Sequence, residues 1–114
     1  MEFNGENGIV ILYRAMGAEE FYLLMQTRRF ALIPNGIGVK YFGINYEETL
    51  AFANKIVSID IVAVIEVGIL RDVLERIGDF THVDPFLFKK GTVEIQREHL
   101  EEFNDAIQFI NHRY

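Results

Sequence analysis

The chain has 114 residues, half of them hydrophobic and 13% aromatic, with a formal charge of −6 and no cysteine. That length is the size of one domain, and the apolar share is enough for a packed core, which excludes a disordered chain. The acidic balance excludes a general nucleic-acid or anionic-membrane surface, which needs a concentrated basic face. Without cysteine there is neither a disulfide nor a thiolate zinc site.

Residues 1–114 read as a single domain whose first seven residues form a loose polar tail. That tail is acidic, the opposite of a secretory leader, and the longest apolar runs are too short to span a bilayer. The expectation is a soluble cytoplasmic protein, although a domain cut from a longer exported chain would read the same way.

Gly8 to Tyr13 is a short continuous apolar strand that ends at Arg14. From Gly17 to about Arg28 the period becomes helical: Phe21, Leu24, Met25 and Arg28 share a face, and Glu19 and Glu20 sit in the first turn, where the helix dipole favours acids. Phe30 to Gly38 carries a Pro34-Asn35-Gly36 turn signal and reads as a loop. Val39 to Gly43 is a second strand. Asn45, with Glu48 three residues on, starts a helix that runs to about Lys55 and buries Leu50 and Ala53, with Phe52 or Thr49 at its edge.

Ile59 to Val67 reads as the central strand. Ile59, Ile61, Ala63, Ile65 and Val67 share one apolar face, and Asp60, Val62, Val64 and Glu66 form a second face that is charged only at its ends. Residues 69–77 read as a short amphipathic helix ended by Gly78. Asp79 to Asp84 reads as a polar loop carrying His82. Phe86 to Phe88 and Thr92 to Ile95 read as two strands joined by a hairpin turn at Lys90-Gly91. A final helix from about Arg97 to Asn111 carries the stripe Leu100, Phe103, Ile107 and Ile110. The order is β-α-β-α-β-α-β-β-α: an α+β fold with a small mixed or antiparallel sheet of about five short strands and about three or four helices.

The sequence has no phosphate loop, no Gly-x-Gly-x-x-Gly and no metal-spaced histidine pair. His82, His99 and His112 are scattered and read as surface residues. Two charged groups stand out. Arg14 closes an apolar strand, and Glu94 lies between Val93 and Ile95. Each has a bland account: Arg14 reaches solvent along its stem, and Glu94 takes the outward side of an alternating edge strand. On the 39–43 strand, alternation sends one of Tyr41 and Phe42 to the core and the other to a cleft or to solvent, where a ring can stack on a planar ligand.

Leu12-Tyr13-Arg14-Ala15-Met16 followed by an acidic helix, Lys40-Tyr41-Phe42-Gly43 followed by the helix from Tyr46 to Ala53, and Thr92-Val93-Glu94-Ile95 together resemble the small ADP-ribosyltransferase-like domains found among bacterial toxins. Where the arginine-bearing branch of that family carries Ser-Thr-Ser, this chain has Tyr41-Phe42-Gly43, and Thr92 stands two before Glu94, where transferases acting on proteins often carry Glu or Gln. The resemblance implies NAD as substrate with no metal, Glu94 as catalytic carboxylate on the nicotinamide ribose, Arg14 on the phosphates or ribose, and Tyr41 or Phe42 stacked on nicotinamide. The activity would be mono-ADP-ribosyl transfer to a protein acceptor or NAD glycohydrolysis. It requires Arg14, Tyr41 and Glu94 to converge on one cleft.

The alternative is a non-catalytic acidic α+β module that binds a protein partner, either a degenerate relative of that fold or an immunity or interaction protein. A small nuclease is a third reading, opposed by the acidic charge and the lack of a placed histidine.

Overall fold

The computed structural model of the chain describes residues 8–31, 39–55, 61–81 and 85–114, with the backbone alone for residues 61 and 62. The N-terminal tail, the Pro34-Asn35-Gly36 turn, Ile59 and Asp60, and His82 lie outside the described residues. Among the described residues, six strands form one antiparallel sheet, with four α-helices and a single 3-10 turn. The fold is α+β, as the sequence pattern indicates.

The two longest strands, β1 (Ile9–Gly17) and β3 (Ile61–Leu70), lie side by side, pairing Val10 with Ile69, Leu12 with Val67 and Met16 with Ala63. All six side chains are essentially inaccessible to solvent and form one face of the sheet. β2 (Val39–Gly43) continues that face with Phe42, and β5 (Thr92–Gln96) with Val93 and Ile95. β4 (Gly78–Thr81) and β6 (Ile107–His112) complete the order β4-β5-β2-β1-β3-β6.

Three helices cover this first face: α1 (Ala18–Thr27), α3 (Arg71–Ile77) and α4 (Leu100–Asp105). Their Leu24, Leu74, Ile77, Leu100 and Phe103 join the core, each burial stabilising by roughly 1.5–3 kcal/mol. The second face is covered in part by α2 (Tyr46–Lys55). Asn45 caps α2 by accepting the Glu48 N–H at 2.9 Å. The inward residues of α2 are Thr49 and Ala53, one turn apart, rather than Leu50, which stays half-buried. α1 ends at Arg28, which takes a left-handed φ of 60° and returns its N–H to Leu24 at 2.7 Å.

Four expectations are corrected. The expected helix over 97–111 stops at Asp105, and β6 follows. The outer edge of β3 presents unpaired backbone groups, and pairing with β6 satisfies them. Helical spacing of Ile107 and Ile110 is outweighed by that tertiary demand. Phe86 to Phe88 is a turn, not a strand. Gly91, at φ 103°, closes it by returning its N–H to Phe88 at 3.0 Å. The strand that pairs with β5 is Gly78–Thr81, where a polar loop was expected. It is short and charged, as edge strands commonly are. Finally, β1 runs past Arg14 to Gly17, and β3 runs on to Leu70 before α3 begins.

Candidate functional site

Alternation along β1 and β2 places three charged side chains under the sheet. Arg14 falls in step with Leu12 and Met16, Lys40 in step with Phe42, and Glu20 sits one turn before Leu24 on α1, so all three face the core side. Glu20 accepts from Arg14 Nε at 2.7 Å and from its second terminal nitrogen at 3.0 Å, a bidentate pair. Lys40, 3% exposed, reaches the same carboxylate at 3.2 Å. The remaining guanidinium nitrogen donates to the Tyr41 carbonyl at 2.8 Å, and the guanidinium lies 5.9 Å from the Phe42 ring centre.

Burial pushes the Glu20 pKa up, but the hydrogen bonds and charge of Arg14, with Lys40 behind them, overcome it and hold the carboxyl below its ordinary value. Burial, then the Arg14 charge, lowers the Lys40 pKa. The cluster is a structural tie of α1 to β1 and β2, with the Arg14 fork committed to Glu20 and to backbone.

The second face carries a cleft of about 300 Å³. Ala15, Tyr41 and Gly43 form its floor, with Thr92 beside them, and Phe52 of α2 and Phe88 of the following loop form its walls. This is the small end of the range for ligand sites, and the lining is largely apolar. Gly43 is required here, because a Cβ would clash with Thr49 Oγ1 and stand 3.1 Å from the Phe88 ring. Glu48 ties α2 to the loop by accepting the Lys90 N–H at 3.2 Å, and Phe52 meets Phe88 at 5.2 Å between ring centres.

Tyr41 and Glu94 are cross-strand partners on this second face. The Glu94 carboxylate beside it raises the Tyr41 phenol pKa. Asp79 of β4 is the next residue in the same row.

The structure therefore brings Tyr41 together with Glu94, and Arg14 together with Phe42, but on opposite faces. Phe42, 1% exposed, fills the core. Arg14 and Phe42 border the cleft only with backbone, since their side chains point the other way. Sequence reading missed Glu20 and Lys40 as buried partners of Arg14, although Lys40 shares the parity of Phe42. It also missed Thr49, Phe52 and Phe88, because the cleft exists only once α2 and the turn at Phe88 meet over β2.

Among the described residues, no three His, Asp or Glu side chains gather as metal ligands. Among them also, no helix is long and apolar enough to cross a membrane. Comparison of the chain and its fold with family models, curated proteins and solved structures gives no match.

Proposed function

We propose that the chain is a non-catalytic protein-binding module that takes an apolar side chain of its partner into the cleft between α2, β2 and the Phe88 turn. The observation that carries this reading is the cleft itself: an apolar hollow walled by two aromatic rings, into which no cation and carboxylate converge among the described residues. The turn that delivers Phe88 also holds Phe86 86% exposed, an aromatic ring left in water two residues from the cleft wall. NAD chemistry would need an anion-binding fork on the face that carries Glu94, and the Arg14 fork is spent on Glu20 across the sheet.

The test is calorimetric titration with indole, a minimal apolar anchor, of wild type and Ala15→Phe. Ala15 is half-exposed on the cleft floor, so a phenyl ring placed there occupies the hollow without entering the main core. Wild type binds at about millimolar Kd, as expected for a fragment of that size, and Ala15→Phe loses the binding while keeping its thermal midpoint. Equal binding by both proteins contradicts the reading.

A further inference from the structure

Resting on the reading of the cleft as the binding site, we infer that the partner segment presents its apolar anchor next to a basic residue, an arginine or lysine within one or two positions of it. The inference comes from what borders the hollow. Tyr41 forms part of its floor, and its cross-strand neighbour on β5 is Glu94. Asp79 lies directly beyond Glu94 in the same cross-strand row and is exposed, accepting from the Gln96 amide at 3.1 Å. The row Ala15–Tyr41–Glu94–Asp79 thus runs from apolar floor to an edge with two carboxylates, neither of them in an ion pair among the described residues.

The cations of this region, Lys89 and Lys90, are on the turn at the Phe88 side. Away from that turn, beyond Tyr41, the row ends in the Glu94 and Asp79 carboxylates. An extended segment crossing the hollow places residues about 3.3 Å apart along its axis, so a side chain one or two positions from the anchor spans the distance from Tyr41 to Glu94 and Asp79. A cation there meets two acceptors, and the chain's net charge of −6 favours its approach.

The chain contains no tryptophan, so a tryptophan in the probe reports binding through its own fluorescence. Three blocked pentapeptides are titrated into the full chain: Gly-Arg-Trp-Arg-Gly, Gly-Ala-Trp-Ala-Gly and Gly-Glu-Trp-Glu-Gly. The expected order of affinity is arginine, then alanine, then glutamate. The arginine peptide loses about threefold with Glu94→Gln and about tenfold with Glu94→Gln and Asp79→Asn together, and its advantage falls with added salt. Asp79 is exposed and Glu94 half-buried, and an unchanged thermal midpoint of each variant serves as the control for folding. Equal affinity for all three peptides, abolished by Ala15→Phe, overturns the basic-partner inference while the cleft reading stands. Binding that survives Ala15→Phe, or no binding at all, overturns both.

Discussion

Glu20 and Lys40 meet at 3.2 Å beneath the sheet, and Arg14 closes on the same carboxylate from β1. Two cations thus share one buried anion, and substitutions at Glu20 and at Lys40 are not equivalent. Glu20→Gln leaves two desolvated cations facing each other and destabilises the fold by about 3–5 kcal/mol. Lys40→Met removes the cation that burial already disfavours, keeps the bidentate Arg14 pair, and changes stability by less than about 1 kcal/mol or raises it. Urea denaturation of the two variants separates these outcomes.

The same cluster sets a pH dependence. The folded-state pKa of Glu20 lies below its unfolded value, so its contribution is complete above the ordinary glutamate range and is lost as pH falls through the lower folded value. The folded-state pKa of Lys40 is also below its unfolded value, so the unfolded chain holds that proton more tightly and the cost of Lys40 shrinks as pH rises toward the ordinary lysine value. Denaturation midpoints should fall on acidification in wild type and fall less in Glu20→Gln.

Asn104 of α4, 9% exposed, binds both backbone groups of Phe30: its amide oxygen accepts at 2.7 Å and its amide nitrogen donates at 2.8 Å. It substitutes for a strand partner at a residue that has left α1. Asn104→Ala strands a buried N–H and a buried C=O and costs about 2–3 kcal/mol. Asn104→Asp keeps the acceptor but turns a carboxylate oxygen on the Phe30 carbonyl, and should cost more than alanine at neutral pH. Thermal unfolding of the pair checks the order.

Gly43 is a test of the cleft's packing. A methyl group at this position meets the buried Thr49 hydroxyl, which is itself held by the Asn45 carbonyl at 2.9 Å, and the Phe88 ring. Gly43→Ala forces α2 and the turn outward and destabilises by about 1–3 kcal/mol. In the accompanying Thr49→Ser background the loss is smaller, because the methyl of Thr49 no longer fixes its rotamer.

Much of the architecture was legible in the chain. Alternation put Tyr41 and Phe42 on opposite faces without saying which faced inward, and it gave β2, β5 and the middle of β3. The capping pattern at Asn45 and Glu48 located α2. What local pattern could not express was pairing demand: Ile107 to His112 carry spacing compatible with a helix, yet the free edge of β3 recruits them as a strand. The candidate site was legible only in halves. Arg14 and Glu94 each stood out as charges in apolar strands, but whether two such strands share a face depends on the parity of their register, and Tyr13 pairing with Gly43 puts Arg14 on the face of Phe42. The cleft walls come from Phe52 and Phe88, 36 residues apart, and no short motif joins them.

NAD turnover is a separate expectation. With Arg14 and Glu94 on opposite faces, incubation with NAD should release no nicotinamide above the uncatalysed background, and Glu94→Gln should give the same trace as wild type. Release by wild type that Glu94→Gln abolishes would restore the enzymatic reading.

The most direct test of the central claim is where an apolar anchor lands. Amide chemical shifts of the full chain are followed through a titration with indole. The account predicts saturable shifts at Ala15, Tyr41, Gly43 and Thr92, with Tyr22 on α1 and Gln108 on β6 unmoved. Shifts that cluster on α1 or β6, or no saturable shift at the cleft residues, would contradict it.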